Sequence, residues 1–402
     1  MRIAQVAPLA EAVPPRAYGG TERVISWLTE ELVRRGHEVT LFASGDSATN
    51  AELVPLVDEG LRLAGKLDTY LIEQMVQLEV VAARADEFDL IHYHCDYHHF
   101  PLSRRSRTPT VTTLHGRLDL PGLPVVFGAY PEMPLVSISD AQRLPLDANL
   151  NWWATVHHGL PKHSLEFNPY GGEYFAFLGR ISPEKRLDRA IAIARALETP
   201  LKVAAKVDPA DRKYFETTIE PLLDGPFVEL VGEIGDQDKG EFLGNARALL
   251  FPIDWPEPFG LVMIESLACG TPVVAFRNGS VPEVLVHGET GFIVDDLESA
   301  IFAASQVASL DRARCRSHFE RCFSVESMTT NYERAYERLI ERARAPLSRR
   351  GQSSLAARGS LKEPRLSITP LAAGSSELNT QLAPRHQSGN GAGSTARASR
   401  LG

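Results

Sequence analysis

Cysteine is scarce in this 402-residue chain. The four residues, Cys95, Cys269, Cys315 and Cys322, show neither the close paired spacing of a zinc site nor the density of a secreted disulfide scaffold. That absence points to a reducing compartment and a cytoplasmic protein. Long apolar runs are missing too, since none approaches the ~20 residues of a membrane span. The opening MRIAQVAPLAEAVPPRAYGG meets Glu11, Pro14 and Pro15 before a signal-peptide core could finish. No integral membrane segment is expected, and any membrane contact would be peripheral.

A basic excess is also lacking. The formal net charge is -9, and residues 346–402 carry eight Lys/Arg against two Glu, a local +6 that leaves -15 on residues 1–345. Nucleic-acid binders need a basic face, so an acidic body excludes that class of partner and favours a small-molecule substrate.

What the chain does contain is 44% hydrophobic and 23% charged residues, the balance of a globular protein long enough for two cores. Short apolar runs alternate with helical patterns, the pattern of parallel strands covered by helices. Strands are predicted over residues 2–8, 39–43, 90–93, 110–114, 135–138 and 154–157. The segment TERVISWLTEELVRRG brings Val24, Ile25, Leu28, Leu32 and Val33 to helical spacing. Residues 158–172 are rich in turn formers and read as a linker. A second series follows, with strands at 174–178, 201–205, 228–231, 248–251 and 272–275 and helices over 187–197 and 261–268.

The expected organisation is an α/β chain. A Rossmann-like, doubly wound domain occupies residues 1–165, and a second Rossmann-like domain occupies 166–328. An amphipathic helix at 329–345 packs back across both. Residues 346–402, rich in Ser, Gly, Ala and Arg, read as a disordered tail.

Several residues can carry chemistry. Gly19 and Gly20 lie between a strand and a helix, where unhindered amides can receive a phosphate or simply form a tight turn. In FLGRISPEKR, Arg180 follows a strand and Lys185 precedes a helix, so both cations reach the carboxyl edge of the sheet where ligands bind. Alone, that run reads better as a solvated charge run with ordinary surface pairs. It is joined by PEPFGLVMIES, which holds Glu257 and Glu265 eight positions apart around a Phe-Gly helix start. A glutamate in an apolar helix needs a partner, and a sugar hydroxyl would serve. The amides of Phe259, Gly260 and Leu261 can face an anion. HYHCDYHHF, with His92, His94, His98 and His99, fits no usual zinc spacing and is read as structural or acceptor-side. The RRSR at 104–107 is read as solvated surface.

Together these motifs resemble the family 4 retaining glycosyltransferases of the GT-B fold. The matching elements are Gly19-Gly20, LHG at 114–116, the Gly179-Arg180 pair, Lys185 and the E-x7-E pair, within residues 1–345. GGTERV, TLHGRLDLP and AAKVDP are most similar to a subgroup named for an avilamycin-biosynthesis enzyme. The resemblance implies a metal-independent hexosyltransferase that needs no cofactor and takes a nucleoside-diphosphate sugar as donor, with 1–165 the acceptor-side domain and 166–328 the nucleotide-sugar-binding domain. It implies that Arg180 and Lys185 neutralise the leaving diphosphate, Glu257 holds the donor sugar, Glu265 holds the ribose and His115 lies by the reacting carbon. Gly20 would let the backbone approach the diphosphate. Ala204-Ala205-Lys206-Val207 replaces the family's glycine-containing turn, with Lys206 expected on phosphate or base. The base is expected near Val231, Gly232, Glu233 and Ile234.

The acceptor remains open among glycan, lipid-linked and small-molecule hydroxyls, as do donor base, donor sugar and oligomeric state. Arg117, Asp119 and Ser139 are expected on the acceptor-side loops. Other functions compatible with the cleft are a sugar-nucleotide epimerase, a phosphorylase and a non-catalytic sugar-nucleotide sensor. The E-x7-E spacing and the paired cations favour the transferase.

Overall fold

The computed structural model describes residues 1–16, 19–225 and 227–345. The segment expected to be a disordered tail, 346–402, lies outside the described residues.

The first sheet has seven parallel strands in the order β3-β2-β1-β4-β5-β6-β7. They are β1 Arg2–Val6, β2 Glu38–Ala43, β3 Glu52–Pro55, β4 Leu90–Tyr93, β5 Thr110–Leu114, β6 Leu135–Ser137 and β7 Trp152–Thr155. Helix α1 (Gly20–Arg34) buries Val24, Ile25, Leu28 and Leu32 along one stripe, as their spacing predicts. Helix α2 (Tyr70–Ala83) follows. The second sheet has six parallel strands in the order β10-β9-β8-β11-β12-β13. These are β8 Tyr174–Arg180, β9 Leu201–Lys206, β10 Val228–Gly232, β11 Ala246–Phe251, β12 Val273–Phe276 and β13 Gly291–Val294. Its helices include α3 (Leu187–Ala196), α4 (Asp236–Gly244) and α5 (Leu261–Ala268). In both sheets the strand order reverses beside the first strand of the series, which leaves a crevice at the carboxyl edge.

The central strands are nearly all buried, which explains their continuous apolar runs. Two short edge strands, β3 (ELVP) and β13 (GFIV), were not expected from the sequence. They are held by pairing to β2 and β12, with Thr40 opposite Glu52 and Val273 opposite Gly291.

The last helix, α6 (Val325–Arg344), starts four residues before the expected Thr329 because Ser324 caps it, its hydroxyl accepting from the Ser327 amide at 3.3 Å. Its apolar face enters the first lobe's core, where Tyr332, Tyr336, Leu339 and Ile340 cluster with Ile3, Val24, Leu28 and Leu32. The two tyrosine hydroxyls also meet polar groups inside the sheet. Tyr336 bonds His92 Nδ1 at 2.7 Å and Tyr332 bonds Thr113 at 3.0 Å. No helix among the described residues is long and apolar enough to cross a membrane.

Candidate functional site

The carboxyl ends of both sheets open onto one cleft of about 630 Å³. From the first lobe it is lined by Gly19, Gly20, Glu22 and Arg23 at the start of α1, and by His115, Gly116 and Arg117 after β5. From the second lobe come Arg180 and Lys206 at the ends of β8 and β9, Lys185, Lys239, and the run from Trp255 through Glu257 to Val262, with Glu265 behind it. Of the residues expected to grip the donor or act in catalysis, Val231 and Gly232 are not brought in, and of the acceptor-side loop residues Arg117 lines the cleft while Asp119 and Ser139 do not. Val231 and Gly232 end the edge strand β10, where Val231 is 42% exposed, and a φ of +89° at Gly232 turns the chain so that Glu233, Ile234 and Gly235 form the wall instead.

The two glutamates of E-x7-E are both buried, and each meets a lysine. Lys185 Nζ contacts Glu257 Oε2, which also accepts from Trp255 Nε1 at 3.1 Å. The same ammonium lies 5.1 Å from the Trp255 ring centroid. Glu265, on α5, accepts from Lys239 at 2.8 Å. Helix α5 is preceded by Gly260, which has a φ of +78° and no side chain to cap the first amides, and Gly260, Leu261 and Val262 line the cleft. A Cβ at Gly20 would lie 3.3 Å from Leu261 Cδ1, so the two lobes' helix starts approach closely at this position.

The cations are not bare. Arg180 is ringed by Glu184 at 2.6 Å, Asp211 at 3.3 Å and Asp208 at 3.6 Å, and Lys206 lies 3.3 Å from Asp208. The sequence reading counted the bases and overlooked these acids. An incoming anion must compete with them.

His115 sits in a relay of side chains. Gln5 Oε1 accepts from His94 Nε2 at 2.7 Å, and His94 Nδ1 lies 2.9 Å from His115 Nε2. If the amide oxygen takes the His94 proton, His94 Nδ1 is an acceptor and His115 Nε2 must donate, which leaves His115 Nδ1 as a bare acceptor. That atom is buried without a hydrogen-bond partner. Burial pushes the His115 pKa down to about 3, so the ring is neutral at ordinary pH.

The histidine-rich run forms hydrogen bonds inside the protein. His92 bonds Tyr336 and Thr113, and His99 bonds Ser103 at 2.7 Å and Thr112 at 2.8 Å. Among the described residues no three His, Cys, Asp or Glu side chains converge in a way that could hold a metal.

Two contributors escaped the sequence reading. Glu22, buried in the first-lobe wall, is pushed up to about 7 by desolvation, with Glu11 adding to the rise against its own amide and Arg62. The other is the turn RNGSVPE. Ser280 donates its amide to Glu257 O at 3.0 Å and its hydroxyl to Phe259 O at 2.7 Å. Gly279 has a φ of +54°, and a Cβ there would lie 2.2 Å from Glu257 O. Glu283 of the same turn accepts from the amides of Asp140 and Ala141 at 2.8 Å each, tying the first lobe to the Glu257 loop. A glycine before Ser in a polar turn was the available signal.

Comparison with known proteins agrees with this geometry. A model described as Glycosyltransferase Family 4 matches residues 18–212, and one described as Glycosyl transferases group 1 matches 166–310. Two parallel-sheet lobes around such a cleft define a glycosyltransferase of the GT-B fold. The chain belongs to glycosyltransferase family 4. It is 25% identical to the D-inositol 3-phosphate glycosyltransferase of Mycolicibacterium smegmatis over 416 residues, covering 86% of this chain and 92% of that one. The crystal structure of AviGT4, a glycosyltransferase involved in avilamycin A biosynthesis, is similar with a TM-score of 0.63 at 22% identity over 85% of this chain and 98% of its own. HepE of Anabaena, solved with UDP and glucose, has a TM-score of 0.63 at 17% identity, with 84% and 99% covered.

Proposed function

We propose that this glycosyltransferase moves a sugar from a nucleoside-diphosphate sugar to an acceptor hydroxyl, with retained anomeric configuration and without a divalent metal or other cofactor. The observation that carries the reading is the gathering of Glu257, Glu265, Lys185 and Arg180 around the uncapped start of α5 in one interlobe cleft. UDP and glucose in the HepE structure support a donor of that class.

In this reading Glu265 accepts hydrogen bonds from the ribose and Glu257 from the donor sugar. Arg180, Lys185 and Lys206 face the diphosphate, together with the amides of Phe259, Gly260 and Leu261 and the close backbone of Gly19 and Gly20. The nucleobase lies against Glu233, Ile234 and Gly235. As the bond between anomeric carbon and diphosphate oxygen breaks, negative charge builds on the leaving group, where the cations and amides stabilise it. The acceptor oxygen bonds to the same face of the carbon and its proton passes to the departing phosphate oxygen. The bare Nδ1 of His115 accepts a hydrogen bond from a donor-sugar hydroxyl beside the reacting carbon. Water excluded between the lobes spares the donor from hydrolysis.

Titration calorimetry with UDP, GDP and ADP in excess EDTA tests the donor assignment. One of them should bind with one-to-one stoichiometry, and Glu265→Ala should weaken it. No binding by any of the three would contradict the reading.

A further inference from the structure

Helix α4 holds one basic residue among Asp236, Asp238 and Glu241, and that residue, Lys239, is turned into the cleft. Its ammonium lies 2.8 Å from Glu265 Oε1 and 3.2 Å from Asp236 Oδ1. The Lys239 side chain is 16% exposed and that of Glu265 7%. We infer that Lys239 is a positioning residue of the donor site, holding the buried Glu265 carboxylate aimed for the ribose of the nucleotide. This rests on the reading of Glu265 as the ribose grip.

Three features support it. First, a carboxylate taken out of water needs a counter-charge, and removing one partner of a buried pair is far more costly than never having had it. Lys239 is the cation that bonds Glu265 among the described residues. Second, the bond from Lys239 is made to Oε1, so one oxygen is fixed while Oε2 can meet a ligand hydroxyl. Third, the groups facing the ammonium keep it charged. Burial alone would lower its pKa and Arg23 does the same, but Glu265 and Asp236 outweigh them and hold it above its ordinary value. A lysine whose charge is this well balanced is held by its neighbours, and its long stem from α4 sets where the Glu265 carboxylate can point.

The test compares binding of a ribonucleoside diphosphate, whichever of UDP, GDP or ADP binds, with its 2′,3′-dideoxy counterpart. In the unaltered protein the ribo form should bind roughly 10-fold or more tightly, the weight of charge-assisted hydrogen bonds. Lys239→Met should lose most of that preference by weakening the ribo ligand while barely changing the dideoxy one. Lys239→Arg should restore it, and kcat should stay within about threefold while the donor KM rises. If Lys239→Met destabilises the fold, the double variant Lys239→Met/Glu265→Gln, which leaves no buried unpaired charge, should discriminate no worse than Glu265→Gln alone. Equal weakening of both ligands would overturn the inference and make Lys239 a direct contact to base or phosphate. So would an unchanged preference. A Glu265→Gln variant that keeps full ribose preference would instead refute the reading of Glu265 itself, which separates the two failures.

Discussion

Arg23, in the first turns of α1, and Asp236, at the start of α4, form an ion pair at 3.1 Å across the cleft. The bridge continues through Lys239 to Glu265, so a chain of four alternating charges joins the first lobe to the second-lobe wall of the cleft. Asp236 is 60% exposed, which limits the bridge's strength to that of a solvent-screened pair. Arg23→Ala should therefore reduce kcat/KM by no more than about fivefold, and the loss should deepen at low salt, where the intact bridge is strongest. Steady-state kinetics at two ionic strengths would check this.

Lys185 has a larger expected effect. It touches Glu257 in the resting cleft and is proposed to meet charge that develops on the leaving diphosphate. Lys185→Ala should lower kcat by about 100-fold to 1,000-fold while donor affinity changes much less. Single-turnover rates set beside calorimetric affinities separate the two quantities, and equal losses in both would make Lys185 a binding residue only.

Gly279 is a structural support of the Glu257 loop. Its φ of +54° disfavours a side chain, and a Cβ would overlap the Glu257 backbone, with 2.2 Å to its oxygen and 2.4 Å to its nitrogen. Gly279→Ala should destabilise the fold by about 1–3 kcal/mol, the range for a residue held in a disfavoured backbone region. It should also weaken donor binding. A Tm measured by calorimetry and a donor titration on the same sample would test both effects.

Much of the site was legible before the fold was known because strand ends and helix starts place their residues by rule. Arg180, Lys185, Glu257 and Glu265 sit where the strand-to-helix punctuation puts them. The contributions of Asp208, Asp211, Lys239 and Glu283 were hidden because each acts through a partner distant in sequence. Nothing in the residues flanking these four positions marks the partners they meet in the fold. The edge strands β3 and β13 were equally hidden, since each is only four residues long and is defined by pairing to a neighbour.

Acid sensitivity follows from the buried histidines. His92, His94, His99, His115 and His158 are all pushed below their ordinary value of 6.5, chiefly by burial. The unfolded chain then binds more protons than the native one below pH 6.5, so each such ring removes about 1.4 kcal/mol per pH unit as pH falls toward its native pKa. Glu22 and Asp96 work the other way, because their native values are raised and their stabilisation grows on acidification. Five histidines outweigh two carboxyl groups. Urea midpoints should thus fall from pH 6.5 to pH 5, and a flat profile would count against neutral rings in the native core.

The central claim is that the E-x7-E cleft transfers a glycosyl group from a nucleotide sugar without metal and with retention. Its most direct test is proton NMR of the reaction in excess EDTA, using the α-linked sugar donor of whichever nucleotide binds and a panel of hydroxyl acceptors. The prediction is an α-linked product at full rate in EDTA, lost in Lys185→Ala. A β-linked product, or turnover that stops in EDTA and returns with a divalent ion, would contradict it.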